Sequence, residues 1–230
     1  MNTPTILLDP STADPHAELW FVEPPGFVPL PLDTLLPDGW SGSGDSLREA
    51  AAPFLDAAPD DTARRQFVAA FCTGQQLLAA LRETGTVHCS IGLHRDDLGQ
   101  GSPGRGDEVL LFSLFTVSWR DTAVAPRGVT AARVVTGGAG HEQVEFAELP
   151  AGPAGFGETT STPAAGSGLP QQRLLQVHAY LPHPDCRRLA VLTLTTTAPA
   201  RRAEYRAILR LIAESVSFES PLGESASGGS

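Results

Sequence analysis

The chain has 230 residues, of which 41 % are hydrophobic and 18 % are charged, so it is long enough for one sizeable hydrophobic core or two small ones. Its 16 basic and 26 acidic residues give a formal charge of −10. This balance argues against nucleic-acid and membrane partners, because binding to phosphate groups or anionic lipids requires a cationic surface. All 16 basic residues are Arg, a bias that indicates a GC-rich genome and, we expect, an actinobacterial source.

Residues 1–46 are acidic and rich in proline. The eight prolines of this segment exclude a regular helix or a central strand. Large apolar side chains such as Trp20 and Phe21 are uncommon in disordered segments. We therefore predict an extended arm over residues 1–46 whose aromatic side chains pack on the body. The alternative is that the arm binds in trans, as a proline-rich ligand of a partner.

Two helices are predicted before the first long strand. A short one spans residues 45–55, after a Gly/Ser-rich break. A longer one spans residues 62–83, because apolar side chains recur at helical spacing and Gly85 stands where helices often end.

Strand patterns dominate most of the remaining chain. Residues 174–181 alternate apolar and polar side chains, which is typical of a half-buried antiparallel strand. The turn residues from Pro182 to Asp185 predict a hairpin between this strand and the next. Residues 150–170 are predicted to form a flexible loop from their Ala, Gly, Pro, Ser and Thr content, although a strand pattern lies inside them. The predicted strands span residues 86–93, 109–120, 128–135, 143–149, 155–161, 174–181 and 189–197.

An amphipathic helix is predicted after residue 197, and residues 220–230, rich in Gly and Ser, are predicted to be a disordered tail. Strands without a helix between each pair, with helices before and after them, predict an α+β fold. We expect a single domain over residues 47–219, with an antiparallel β-sheet of about five to seven strands flanked by helices. The apolar stripe of the last helix consists of Tyr205, Ile208, Leu209, Ile212 and Val216.

The sequence shows no set of residues at the spacing that catalysis or a cofactor requires. Gly99 to Gly104 match a dinucleotide-binding pattern, but the match lies between two predicted strands with no helix after it, so we predict a loop. Alternation places His88 and Cys89 on opposite faces of one strand, which separates two possible metal ligands. We therefore predict no catalytic residue, no metal and no cofactor.

Arginines are concentrated in the predicted hairpin and the last helix. Three hypotheses explain them: the acidic arm docks there, a protein partner binds there, or they form a solvated face. The candidate partner surface consists of Arg187, Arg188, Arg201, Arg202, Arg206 and Arg210.

Residues 174–197 predict a hairpin of two long strands, the second of which ends in Thr-rich sequence, and Ser215-Val216-Ser217-Phe218 follows the last helix. This ending resembles that of PsbP/Mog-like α/β sandwich proteins, including LpqN-like actinobacterial members. The resemblance implies an antiparallel sheet flanked by helices and a scaffold or partner-binding role without shared catalytic residues. It assigns no functional residue to this chain.

The leading functional hypothesis is a non-catalytic partner-binding or accessory protein whose partner is another protein. One alternative is a secretion or assembly chaperone whose acidic arm shields a basic client. Another is a small-ligand-binding protein or an enzyme with a sheet-edge pocket around His88, His94 or His178. No stretch is apolar enough to span a bilayer and the start lacks a secretory signal, so we expect a cytoplasmic protein.

Overall fold

The computed structural model describes residues 18–30, 81, 83–95, 110–137, 140–162 and 172–219. Their strands are β1 (Phe27–Pro29), β2 (Thr86–Arg95), β3 (Leu110–Asp121), β4 (Gln143–Leu149), β5 (Gly152–Ser161), β6 (Leu174–Pro182) and β7 (Arg188–Thr196). Their helices are α1 (Arg127–Gly137) and α2 (Arg202–Glu214), the latter preceded by a 3-10 turn (Pro199–Arg201). The strands form one antiparallel sheet in the order β1-β2-β3-β7-β6-β5-β4. The predicted α+β fold, an antiparallel sheet flanked by helices, is confirmed.

Alternation along the strands gives the sheet two different faces. On the first, which we call the α2 face, α2 packs over β6 and β7. Three members of the predicted apolar stripe, Tyr205, Leu209 and Ile212, are buried on this helix. Ile208 is partly buried, and Val216 is buried just beyond the end of the helix. Each large apolar side chain buried in this way contributes roughly 1.5–3 kcal/mol to stability. The sheet side of this core includes Phe115, Val117, Leu175, Val177, Leu192 and Leu194.

The opposite face, which we call the α1 face, is covered in part by α1. The helix lies over β5 and β6, and Val135 packs with Tyr180 and Val191. The prediction of a strand over residues 128–135 is therefore wrong. β-branched residues favour a strand locally, but the adjacent residues Thr130 and Ala131 are both buried, and a strand would place them on opposite faces.

The flexible loop predicted over residues 150–170 is wrong for Gly152–Ser161, because these residues form β5. The small side chains that suggested flexibility make room for α1 instead. A Cβ atom on Gly155 would stand 3.1 Å from the carbonyl oxygen of Ala131 and 3.3 Å from the Cβ of Val135. Glycine at this position lets helix and strand approach closely.

Residues 18–30 of the arm lie against the body. Trp20 and Ser217 exchange two backbone hydrogen bonds, of 2.9 and 2.8 Å. Phe21 and Phe27 are buried and contact the ring of Phe115 edge to face. Within this stretch β1 pairs with β2 at the edge of the sheet, where a strand tolerates proline.

The other predicted strands and the hairpin between β6 and β7 are confirmed, with ends shifted by up to three residues. Leu81 and Glu83 are helical, and Gly85 has a φ of 81°, which fits the predicted end of the helix over residues 62–83. Most of that helix lies outside the described residues, as do the predicted helix over 45–55, the tail over 220–230 and the rest of the arm.

We expect Gly155→Val to lower the free energy of unfolding by about 1–3 kcal/mol, the usual cost of overpacking, because the new side chain meets the backbone of α1. Gly137→Ala is the matched control, since a Cβ atom there meets nothing within 4 Å. Urea unfolding measures both variants. Equal stability of the two would contradict the close approach of α1 to β5.

Candidate functional site

β4 is the outer strand of the described sheet and pairs only with β5. On the α1 face, Val144 and Phe146 stand opposite Gly157 and Gly155, so no β5 side chain covers them. Val144 is 44 % exposed and Phe146 is 53 % exposed. Two large apolar side chains therefore lie beside backbone groups that no described strand pairs with.

An open groove of about 430 Å³ separates Phe146 from the first turns of α1. The residues that line it are mainly small, and Glu148 lies among them. Such a groove suits apolar side chains presented by an extended chain beside β4. The small residues that line it are Gly128, Ala131, Ala132, Ala147, Pro153 and Ala154.

On the α2 face, the same end of the sheet is charged. Glu158 of β5 is only 1 % exposed, and Arg202 Nη1 lies 3.0 Å from its Oε1 atom. Arg206 Nε lies 3.8 Å from Glu158 Oε2. Arg210 pairs with Glu145 of β4 and places its guanidinium over the ring of Phe156. These arginines, which we call the arginine row (Arg202, Arg206 and Arg210), follow one side of α2 at four-residue spacing.

The other arginines of the predicted partner surface are also mostly bound within the chain. Arg188 pairs with Glu18 of the arm and lies 2.8 Å from Asp185, and Arg201 pairs with Glu204. Arg187 makes no ion pair with another described residue. The hypothesis that these arginines bind a partner stays a prediction, and most of their charge is compensated internally.

The hairpin turn between β6 and β7 is organised around Asp185. Burial acts to raise the pKa of this carboxyl, but hydrogen bonds from the Arg187 amide, the Arg188 guanidinium and the Arg188 amide hold it well below its usual range. Hydrogen bonds to Glu18 and Asp185 raise the pKa of Arg188 above its ordinary value. Asp185 and Arg188 are therefore both ionised at neutral pH, and Arg188 connects the hairpin to Glu18 of the arm.

A second concavity, of about 210 Å³, lies between α2 and the outer strands. Phe156, Val177 and Glu158, all buried, form its inner surface. Its polar rim contains two guanidinium groups, a carboxylate and a carboxamide. We call this concavity the α2 cleft, and its rim consists of Gln143, Glu145, Arg206 and Arg210.

His88 lies on the α2 face beneath the arm. Its Nε2 atom is 2.8 Å from Glu23 Oε1, and Ser90 donates a hydrogen bond of 2.5 Å to the same oxygen. The ring of Phe21 contacts the imidazole edge to face. On the other face, burial and the nearby Glu23 raise the pKa of Cys89 to about 11, so this thiol stays protonated.

The three histidines of the predicted sheet-edge pocket do not converge. His94 pairs in register with Leu111 near the far end of β2, and strand rise puts it about 20 Å from His88. His178 lies on the α1 face of β6, whereas His88 lies on the α2 face of β2. One pocket cannot hold all three, and a pocket around a single one of them stays a prediction.

His178 belongs instead to a cluster with His141 and Tyr180. The two imidazoles meet edge to face with ring centroids 5.6 Å apart, and Tyr180 Oη lies 3.1 Å from His141 Nε2. Thr193 Oγ1 lies 3.0 Å from His178 Nδ1. Burial, His141 and Arg120 lower the pKa of His178 to about 4, so it is neutral at physiological pH.

Sequence reasoning missed the residues that shape both concavities. Alternation along 143–149 already places Val144 and Phe146 on one face, but nothing in the sequence marks β4 as the outer strand. Glu158 fell in the segment predicted to be a loop, so its burial was not foreseen. His141 precedes β4 in a turn and carries no motif.

Comparison with protein-family models, with curated proteins and with solved structures found no match. The resemblance to PsbP/Mog-like proteins therefore stays a prediction. No helix in the described ranges is long and apolar enough to cross a membrane. Within those same ranges, no three His, Cys, Asp or Glu side chains are grouped so that they could hold a metal ion.

We expect Arg202→Ala to lower the free energy of unfolding by about 3–5 kcal/mol, because it leaves the carboxylate of Glu158 buried without its closest counter-charge. Arg210→Ala is the matched control and should cost about 1 kcal/mol, since its partner Glu145 is partly solvated. Adding Glu158→Leu to Arg202→Ala should recover most of the loss. Chemical denaturation measures all three, and equal losses for the two arginine variants would contradict the assignment.

The lowered pKa of His178 predicts a pH dependence of stability. The unfolded chain binds a proton at this residue below about pH 6.5, whereas the native protein does so only near pH 4. The free energy of unfolding should therefore fall as the pH drops from about 6.5 to 4, by up to roughly 3 kcal/mol from this residue. Urea unfolding at several pH values should show a shallower dependence for His178→Gln than for the wild type. Parallel curves would contradict the prediction.

Proposed function

We propose that this protein is a non-catalytic binding protein that holds an extended segment of another protein against its outer strand β4. The observation that carries the proposal is the exposure of Phe146 and Val144 side by side on a strand edge with which no other described strand pairs. Exposed strand edges are blunted in most proteins because they invite pairing. The edge of β4 instead presents apolar side chains beside a groove, which is suitable for binding an extended segment of a protein partner.

The geometry supports binding by strand addition. A strand placed beside β4 gains main-chain hydrogen bonds along its length, which supply affinity without depending on sequence. Alternate side chains of the added strand lie on the α1 face, next to Phe146. These side chains reach the groove between β4 and α1. The groove is lined mainly by small residues and favours partner side chains that are apolar and of limited size.

Charge on β4 favours a different protein over a second copy of this chain. In an antiparallel pair of two β4 strands, the register that places Val144 opposite Phe146 also places Glu145 opposite Glu145. The same register sets Glu142 opposite Glu148. Like charges directly across a strand pair are destabilising, so self-association is disfavoured in the register that best joins the apolar side chains.

The other functional hypotheses receive less support. The two acids of the described arm, Glu18 and Glu23, already bind Arg188 and the His88–Ser90 pair of the same chain. This arrangement favours an arm that packs on its own domain over one that shields a basic client. A single pocket that combines His88 and His178 would require side chains that the sheet places on opposite faces.

Photo-crosslinking in the native host tests the proposal. We expect a crosslinking residue in place of Phe146 to capture one discrete protein, because partner backbone would lie beside it. The same residue in place of Leu211, which is exposed on α2 away from the groove, should not capture that protein. No adduct from position 146, or the same adducts from both positions, would overturn the proposal.

Binding of the captured protein to purified variants then completes the test. Phe146→Asp and Val144→Asp should each weaken binding at least tenfold, because they place a charge where apolar surface is buried. Leu211→Asp introduces the same charge at another exposed apolar site and should bind normally. Circular dichroism confirms that all three variants are folded. Size-exclusion chromatography with light scattering detects self-association, which would contradict the choice of a different protein as occupant.

A further inference from the structure

The α2 cleft combines a buried carboxylate, apolar walls and two guanidinium groups in a space that the described side chains leave empty. We propose that this cleft binds a small zwitterion with a protonated amine and a carboxylate, such as a free amino acid. This site goes beyond the proposed function, because it lies on the face of the sheet opposite to the exposed apolar side chains of β4.

The buried carboxylate of Glu158 is the main evidence for a ligand in this cleft. It is 1 % exposed and lines the cleft. Arg202 and Arg206 compensate its charge from 3.0 and 3.8 Å, yet no N–H group of the described residues meets either carboxylate oxygen in hydrogen-bond geometry. A carboxylate offers about four acceptor positions, and buried acceptors are normally filled. A protonated amine supplies three donors and a positive charge, so it fits this position.

The rim of the cleft supplies the matching group for a carboxylate. Arg206 bonds the side-chain oxygen of Gln143 at 2.5 Å and lies within ion-pair distance of Glu145 and Glu158. Arg210 pairs with Glu145 and, at 3.9 Å, with Glu214. Each guanidinium carries five donors, so both retain donors after these contacts. Guanidinium groups bind carboxylates with charge-assisted and often bidentate hydrogen bonds.

The balance of charge selects the class of ligand. The cleft is lined by the carboxylates of Glu145 and Glu158 and by the guanidinium groups of Arg206 and Arg210. Beside it, Arg202 pairs with both Glu158 and Glu142, so the carboxylates and guanidinium groups around the cleft remain equal in number. A simple anion would sit beside the carboxylates and a simple cation beside the guanidinium groups. A zwitterion adds no net charge and satisfies both signs, which avoids the cost of an uncompensated buried charge.

The size of the cleft restricts the ligand further. Its volume of about 210 Å³ lies below the roughly 300–1,000 Å³ of sites for drug-sized molecules. Val177 and Phe156 give the inner end an apolar wall. A free amino acid with a short apolar side chain suits this volume and this wall, whereas a nucleotide does not fit.

Calorimetric titration of the full chain with the individual free amino acids at neutral pH tests the proposal. We expect saturable binding of at least one with a short apolar side chain. Its N-acetyl derivative lacks the ammonium group and its amide lacks the carboxylate, so each should bind at least tenfold more weakly. If no amino acid binds, or if either derivative binds as well as its parent, the proposal is overturned.

Variants assign the binding to this cleft. Glu158→Gln removes the negative charge while keeping the shape, and Arg206→Gln removes a donor pair at the rim, so each should weaken binding at least tenfold. Phe146→Ala, on the opposite face of β4, is the matched control and should bind normally.

Circular dichroism checks the folding of each variant. Arg210→Gln, with a partly exposed side chain, provides a further rim variant if Glu158→Gln is unstable. Unchanged affinity in the rim variants would overturn the assignment. Loss of amino-acid binding with normal crosslinking from position 146 would separate this site from the proposed function.

Discussion

The ion pairs of Glu158 fix how α2 lies on the outer half of the sheet. Apolar packing of the helix on β6 and β7 is not directional, so by itself it would tolerate small shifts. A buried carboxylate is less tolerant, because displacement of Arg202 would leave its charge uncompensated. Once Gln143 and Glu145 face the arginine row, alternation turns Val144 and Phe146 towards the α1 face. The apolar edge of the molecule is therefore a consequence of charge pairing on the other side of the same strand.

The glycines of β5 have the complementary effect on the α1 face. Gly155 lets α1 approach the sheet, and Gly157 leaves room for the ring of His141, whose Nδ1 atom would stand 2.5 Å from a Cβ at that position. The same two glycines stand opposite Phe146 and Val144 and so withhold the cross-strand contacts that normally cover an outer strand. Glycine at positions 155 and 157 therefore has three effects: α1 packs close to the sheet, the ring of His141 fits beside Tyr180, and the apolar side chains of β4 stay exposed.

The sequence was sufficient for the fold class because the strand patterns are long and several alternate cleanly. It was insufficient wherever tertiary packing outweighed local preference. Residues 128–135 carry β-branched side chains typical of a strand, yet they form α1 because Thr130 and Ala131 must both face the sheet. Residues 152–161 resemble a linker in composition, yet they form an inner strand whose small residues fit beneath that helix. The position of Arg202, Arg206 and Arg210 along one side of a helix could be predicted, but their acidic partners could not, since these depend on which strand becomes the outermost.

One face of β4 is apolar and the other is charged, and this difference determines the sequence pattern that a bound strand requires. Side chains of an added strand alternate between the faces, so those beside Phe146 meet an apolar groove, and their neighbours meet Glu145 and the arginine row. Apolar residues are therefore favoured at every second position and polar residues between them. The rim of the α2 cleft lies along the same strand, so an added strand would border the cleft without filling it, because Glu158 and Val177 lie one and two strands further in. The two proposed sites meet at Glu145 and the arginine row, but the apolar groove beside Phe146 and the inner wall of the cleft at Glu158 use separate side chains. Substitutions at Phe146 and at Glu158 can therefore report on each site independently.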